Sequence, residues 1–375
     1  MTTTMIPISV DAPRLLDVQL HTGDGFFDAF GGDVAACGRG ERISLATMSM
    51  DPEEPPAALL IDRLCDAAAR GARVALAIDA YTLFYPRRIG PLLAPRGWAR
   101  GPSRGRVAAI TQLRRAGVAC AIVNEHGGGP LRMYSGRSHL KIATVGERAF
   151  IGGPSLHGCD GLDLVVALTD PQVCDRLYRL VAAIVRATDT VAILGRGDQA
   201  WSLDDRTQLL LDAGVPGQSL IMARALHVIA TARENLTITC QYFPTGVLAH
   251  RLHAAHRRGV AVHIAFNHPS RHDQLAGVHR LILAAARLRR PRVFFAHQVS
   301  VDFPKLHAKA IASENTAMVG SHNLAAVGVR LGTSEIAVLR ADPVFARAVR
   351  AAVLEQTIQP RVVGDDRLAL HGTAT

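Results

Sequence analysis

The sequence contains the same order of predicted elements twice, and this repetition restricts the fold more than any other feature. In the first copy, two apolar runs flank an amphipathic helix that stops at Gly71, and in the second copy the same arrangement surrounds a helix that stops at Gly259. The predicted strands are residues 42–47 and 74–79 in the first copy and residues 235–240 and 260–266 in the second. Strand, helix and parallel strand in succession are typical of layered α/β proteins.

We therefore expect an α/β fold of two similar βαβ-type lobes related by a pseudo-two-fold axis, each a mixed, mostly parallel sheet flanked by helices. Residues 1–195 are expected to form the N-terminal lobe and residues 196–375 the C-terminal lobe, with a linker at 194–205. The first lobe has about 20 additional residues, and its Arg-, Pro- and Gly-rich segment 85–106 is the candidate insertion. This segment predicts either a basic rim loop over the active site or a solvated surface loop.

Each copy closes with a passage that contains a His-x-Lys triplet, His139-Leu140-Lys141 in the first and His307-Ala308-Lys309 in the second. Both histidines precede the first residue of a glycine-containing turn by 13 positions. Residues i and i+2 of a strand share a face, so each His and Lys pair should be presented together. After each turn an apolar strand carries one carboxylate, Asp163 in the first copy and Glu335 in the second.

Lysine is rare in this basic chain outside the two His-x-Lys triplets. Only three lysines occur among 42 basic residues, and all of them lie in or beside the triplets: Lys141, Lys305 and Lys309. Because Lys is a compact point charge and Arg a planar fork, a site that needs the former does not accept the latter. The lysine distribution therefore marks the two triplets as the place of the chemistry.

The paired passages resemble the phospholipase D superfamily, whose signature is H-x-K-x4-D followed by a G-S-x-N type turn, present twice. The surroundings, such as Arg137-Ser-His-Leu-Lys and Gln241-Tyr-Phe-Pro-Thr, are most similar to bacterial cardiolipin synthases and related phosphatidyltransferases. The resemblance implies an enzyme that cleaves phosphodiesters at one shared site, without metal or cofactor. It favours transfer of a phosphatidyl group to an alcohol through a phosphohistidine; a hydrolytic phospholipase D, a phosphodiesterase or a nuclease is the alternative.

The resemblance also implies roles for particular residues. His139 would be the nucleophile and His307 the general acid and base, although the pseudo-symmetry leaves their order open. Asp163 and Glu335 would each fix the tautomer of one imidazole. The remaining predicted residues would bind the substrate phosphate: Lys141, Lys309, Ser155, Ser321 and Asn323.

This chain departs from the family signature at three places. Gly146 stands where the first motif has Asp, with Glu147 one position later, and Glu314 replaces Asp in the second motif. Ser155 replaces Asn in the first closing turn. The first half-site is therefore expected to differ from the second.

Charge and composition indicate the partners. A net charge of +10 indicates either a polyanionic partner, such as an anionic membrane surface or nucleic acid, or only an Arg- and Ala-rich composition without functional meaning. An aromatic content of 5% offers few stacking platforms for single-stranded nucleic acid, so an anionic phospholipid with an alcohol or water acceptor is preferred. No apolar run is long enough to span a bilayer, no signal peptide is evident, and the scattered cysteines predict reduced thiols. We expect a cytoplasmic monomer that binds the membrane peripherally.

Overall fold

The computed structural model describes residues 16–84, 104–125, 135–158, 161–195, 197–267, 280–281, 284–285, 298–301 and 306–358. The expected insertion lies outside the described residues except for its last three positions. Those positions begin a helix, in which Arg106 is buried and donates a hydrogen bond to the carbonyl oxygen of Thr82 over 2.8 Å. At Arg106, therefore, the structure differs from the expected rim or surface loop, because a neighbouring backbone carbonyl binds the guanidinium.

The first sheet has seven strands in the order β1-β7-β6-β5-β2-β3-β4. These are β1 (Asp17–Thr22), β2 (Arg42–Thr47), β3 (Arg73–Asp79), β4 (Ala119–Val123), β5 (Ile142–Val145), β6 (Arg148–Gly152) and β7 (Leu164–Thr169). Its helices are α1 (Gly23–Ala36), α2 (Pro55–Ala69), α3 (Tyr81–Phe84), α4 (Arg104–Arg115), α5 (Pro171–Ala187) and α6 (Thr190–Leu194).

The second sheet has eight strands in the order β12-β11-β10-β13-β14-β15-β9-β8. These are β8 (Gln199–Ser202), β9 (Thr207–Ala213), β10 (Asn235–Thr239), β11 (Ala261–Asn267), β12 (Gln298–Val301), β13 (Ala310–Ser313), β14 (Ala317–Gly320) and β15 (Ser334–Arg340). Its helices are α7 (Leu220–Thr231), α8 (Gly246–Arg257), α9 (Ala326–Leu331) and α10 (Pro343–Ile358).

The two sheets have the same topology, which confirms the predicted pair of α/β lobes. Read from β9 to β12, the second sheet repeats the order of the first, and β8 is an additional edge strand. This strand lies within the expected linker 194–205, so part of that linker belongs to the second sheet. Four predicted strands and the helices between them occur within two residues of their expected bounds.

The balance of strand directions differs from the expectation. Only β2-β3, β3-β4, β10-β11 and β11-β12 pair in parallel, and the other pairings are antiparallel. The reason is that the chain after each His-x-Lys triplet runs as a meander, β5-β6-β7 or β13-β14-β15, in which consecutive strands pair antiparallel. The sheets are mixed, as predicted, but they are not mostly parallel.

Each sheet lies between two helical layers. Helices α1, α2 and α4 pack on one face of the first sheet, and α7 and α8 pack on one face of the second. The opposite faces, with α5 and α10, contribute to one hydrophobic cluster that contains residues of both lobes. Asp170 caps α5 by accepting hydrogen bonds from the first-turn N–H groups of Gln172 and Val173, which fixes where this inner helix begins.

The closing turns of the two lobes meet at equivalent glycines. A Cβ atom added to Gly152 would lie 3.3 Å from the Cα atom of Gly320, and one added to Gly320 would lie 2.4 Å from the carbonyl oxygen of Ile336. A side chain at Gly152 would press on the backbone of the other lobe, whereas one at Gly320 would collide with β15 of its own lobe. Across the described ranges, no helix combines the length and the hydropathy needed to cross a membrane.

Candidate active site

The two His-x-Lys triplets lie outside regular secondary structure and lead directly into β5 and β13. Each is hydrogen-bonded through its backbone to the other lobe. The N–H of His139 donates to the carbonyl oxygen of Ser334 over 2.8 Å, and the N–H of His307 donates to that of Leu162 over 2.8 Å. Because Ser334 and Leu162 immediately precede the two predicted acids, these bonds bring each histidine beside the acid of the opposite lobe.

The side chains pair across the lobes in the same way. Nδ1 of His139 lies 2.9 Å from Oε2 of Glu335, and Nδ1 of His307 lies 2.5 Å from Oδ2 of Asp163. A carboxylate at Nδ1 fixes the orientation of an imidazole and directs its chemistry to Nε2. The geometry therefore contains two oriented histidines, each dependent on the docking of both lobes.

Both predicted lysines are buried beside these pairs. Nζ of Lys141 donates to the carbonyl oxygen of Gly153 over 2.6 Å, and Nζ of Lys309 donates to the carbonyl oxygen of His307. Burial, followed by the charges of Lys141 and Lys309, holds the pKa of His139 and of His307 well below the ordinary value of 6.5. Since each lysine acts on both histidines, the four side chains form one site.

The two acids have opposite pKa displacements. Burial would raise the pKa of Asp163, but the charge and hydrogen bond of His307 outweigh it and hold that pKa well below its usual range. Burial raises the pKa of Glu335 to about 7, against the opposing charge of His322 and the hydrogen bond of Ser321. Near neutral pH, His307 therefore faces a full negative charge, whereas His139 faces a carboxyl that is partly protonated.

The predicted phosphate-binding residues fall in different surroundings. Ser155 is buried and lines a small cavity together with Lys141. The Oδ1 atom of Asn323 is buried and has no hydrogen-bond partner among the described residues. Ser321 differs from the expected substrate contact. It is 0% exposed, and its hydroxyl donates to Glu335, so the structure gives it a positioning contact.

A buried polar network continues behind Glu335. Asp212 lies opposite Glu335 in the β9-β15 register, and burial raises the pKa of Asp212 to about 7. The hydroxyl of Ser219 donates to Asp212 over 2.5 Å and lies 3.5 Å from Nε2 of His322. In the first lobe the nearest equivalent of Asp212 is Gly23, which follows the paired residue Thr22. In this register, the described residues place an additional carboxyl beside Glu335 and a glycine at the equivalent position beside Asp163.

His157, which was not predicted from the sequence, lies in the closing passage of the first lobe. Its ring centroid is 6.1 Å from that of His307 in an edge-to-face arrangement, and its Nδ1 lies 3.1 Å from the carbonyl oxygen of Gly158. Burial is the main cause of its lowered pKa, so this third imidazole is neutral near pH 7. Its position two residues after the predicted site residue Ser155 could have indicated from the sequence that it lies near the site.

Residues 225–355 match the family described as "Cardiolipin synthase, PLD-like domain". No curated protein matches the chain in sequence.

Two solved structures share the fold. Phosphatidylserine synthase of Haemophilus influenzae Rd KW20 superposes with a TM-score of 0.66 at 13% identity, over 91% of this chain and 86% of that one. Polyphosphate kinase of Porphyromonas gingivalis superposes with a TM-score of 0.53 at 14% identity, over 94% of this chain and 50% of that one. The sequence match to the cardiolipin synthase PLD-like domain thus covers most of the second lobe, and the shared fold extends over both lobes.

Proposed function

We propose that this protein is an enzyme of the phospholipase D superfamily, a phosphatidyltransferase of the cardiolipin-synthase type, which moves a phosphatidyl group from an anionic phospholipid to an alcohol acceptor. The observation that carries the proposal is the crossed arrangement of two His-acid pairs around two buried lysines. A phosphodiester resists attack because its charge repels nucleophiles and its leaving alkoxide is poor. The site supplies a neutral nucleophile, a proton donor and fixed positive charge, which answer these difficulties together.

The reaction proceeds in two displacements. Nε2 of His139 attacks phosphorus, the bond from phosphorus to the leaving oxygen breaks, and His307 gives its Nε2 proton to that oxygen. The neutral imidazole of His307 then takes a proton from the acceptor hydroxyl, whose oxygen attacks phosphorus and breaks the bond to His139. Both histidines return to their starting states, and Lys141 and Lys309 hold the non-bridging oxygens throughout.

The unequal acids support this order of roles. A proton carrier needs a counter-ion for its imidazolium form, and Asp163 remains ionised beside His307. A nucleophile must stay neutral, and the partly protonated Glu335 favours the charged form of His139 less strongly. Substrate binding adds negative charge opposite the lysines, so it raises the pKa of His307 and promotes the protonation that the first step requires.

A lipid substrate is supported by the family description and by the name of the first structural neighbour, a phosphatidylserine synthase. The net charge of +10 suits an anionic membrane surface, to which the protein would bind peripherally from the cytoplasm, and both motifs in one chain suit a monomer. Hydrolysis is the second candidate, because water can replace the alcohol without any change in the residues used.

The test is an assay on phosphatidylglycerol vesicles with glycerol-bearing acceptors and, separately, on plasmid DNA. Formation of a lipid with two phosphates supports the synthase, whereas phosphatidic acid alone supports the hydrolase. Nicked DNA without any lipid product would refute both lipid functions.

A further inference from the structure

The two lobes hold their catalytic triplets with one matched contact at equivalent positions. Asp79 is the last residue of β3, and Asn267 is the last residue of β11. Each stands eight residues after the glycine that ends the preceding helix, Gly71 or Gly259. The two side chains therefore emerge at the same place in the two sheets.

Both side chains bind the residue that immediately precedes a catalytic histidine. Oδ2 of Asp79 accepts a hydrogen bond from the N–H of Ser138 over 2.7 Å. Oδ1 of Asn267 accepts one from the N–H of Leu306 over 2.6 Å, and Nδ2 of Asn267 donates to the carbonyl oxygen of Leu306 over 2.9 Å. The peptide before His139 or His307 is thus fixed from its own lobe.

The backbone bond to the opposite lobe begins at the next residue. The N–H of His139 binds Ser334, and the N–H of His307 binds Leu162, as described above. The two consecutive peptide groups on either side of Ser138 or Leu306 are consequently held from opposite lobes, which fixes the backbone that leads into each histidine. We propose that Asp79 and Asn267 are paired positioning residues that set the two catalytic imidazoles against their carboxylates.

A simpler explanation is that each side chain only provides a hydrogen-bond partner for the backbone of a buried turn. The repetition of the contact in both lobes argues against this explanation. Sixty residues separate Asp79 from His139, whereas 40 separate Asn267 from His307, and the intervening sequences differ. The residue types differ as well, yet the contact to the preceding N–H recurs with nearly the same length. The recurrence of this hydrogen bond is better explained by a need to position the histidine in both lobes than by coincidence between two unrelated loops.

The difference between the two residues also has a physical reason. Asp79 is 0% exposed and accepts further hydrogen bonds from Arg137, Asn124 and the N–H of Tyr81, because a buried carboxylate needs several donors. Asn267 is half-buried and uncharged, and its amide satisfies both polar groups of Leu306 alone. Substitution at Asn267 therefore disturbs the fold less, and it is the better test.

The decisive variant is Asn267→Ala, with Asn235→Ala as the matched control. Asn235 is a half-buried asparagine at the far end of the neighbouring strand β10. We expect Asn267→Ala to lower kcat by about 10- to 100-fold with KM nearly unchanged, because displacement of an oriented group costs this much. Asn267→Asp, which keeps the acceptor and loses the donor, should fall between this variant and the native enzyme. Asn235→Ala should retain native kcat.

Two readouts separate this inference from the proposed function on which it rests. Activity is measured on phosphatidylglycerol vesicles and on a soluble aryl phosphodiester. The Nδ1 proton that His307 shares with Asp163 is followed by NMR of histidine-labelled protein, and it is identified by its loss in His307→Ala. We expect Asn267→Ala to shift or broaden this signal while Asn235→Ala leaves it unchanged.

The inference is overturned if Asn267→Ala keeps native kcat and an unchanged His307 signal, or if Asn235→Ala reduces both to the same extent. Absence of activity in every variant, the native enzyme included, would refute the proposed function, and the NMR comparison would still decide the positioning role.

Discussion

Replacement of Glu335 by Gln should make the folded protein more stable near neutral pH while it weakens the active site. The pKa of Glu335 is raised from its ordinary 4.5 to about 7 because the carboxyl is buried. Below pH 4.5 the folded and unfolded states both carry the proton. Between pH 4.5 and about 7 the unfolded chain releases it and the folded chain retains it, so stability is lost as the pH rises.

The size of this effect follows from the displacement of the pKa. One pKa unit corresponds to about 1.4 kcal/mol, so the displacement from 4.5 to about 7 amounts to roughly 3 kcal/mol. Gln cannot ionise and avoids this loss. The variant should therefore gain stability relative to the native protein as the pH rises. Between pH 4.5 and pH 8, the difference between their free energies of unfolding should change by roughly 3 kcal/mol in favour of Glu335→Gln.

Urea denaturation followed by circular dichroism at several pH values measures this difference. Glu314→Gln is the control of opposite sign, because the Glu314 carboxylate accepts hydrogen bonds from backbone N–H groups and its pKa is lowered. That variant should be destabilised at neutral pH, and its deficit should shrink as the pH falls below the ordinary value of 4.5. A stability difference for Glu335→Gln that does not change with pH would refute the reasoning.

Four further outcomes are expected. His139→Ala and His307→Ala should each lower kcat by at least about 10³-fold in the vesicle assay, and full activity in both would exclude a shared site. His157→Phe keeps the edge-to-face ring contact without its nitrogens, so a loss of kcat at unchanged thermal stability would show that the imidazole itself acts in the reaction. Gly153→Ala should lower the melting temperature and the activity, because φ is +82° and the new Cβ would lie 2.1 Å from Cγ2 of Val165; a native melting curve would contradict this. Binding of inorganic phosphate should take up a proton, seen by calorimetry in buffers of different ionisation enthalpy, and should weaken as the pH rises.

The departures from the family signature acquire a structural meaning from the sheets. Glu314 lies in the turn between β13 and β14 and accepts hydrogen bonds from the N–H groups of Arg233 and Glu234, which precede β10. The equivalent Gly146 lies in the two-residue turn between β5 and β6, where its φ of +55° favours a residue without a side chain. The motif acid is therefore at the end of the sheet remote from the closing turns, and its loss at Gly146 leaves both histidines in place.

The sequence by itself determined the repeated α/β lobes and the candidate reactive groups. Apolar periodicity predicts each strand and helix because burial of one face is a local requirement. The three lysines, all in or beside the two triplets, together with the acids Asp163 and Glu335, predicted the kind of chemistry from the sequence alone.

Only the tertiary structure decided which acid serves which histidine, because that pairing arises between lobes and no spacing along the chain encodes it. It also decided that Ser321 supports Glu335, that His157 lies beside His307, and that the two half-sites titrate differently. Each of these depends on burial and on the distance between residues far apart in sequence, which exist only after the two sheets have packed together.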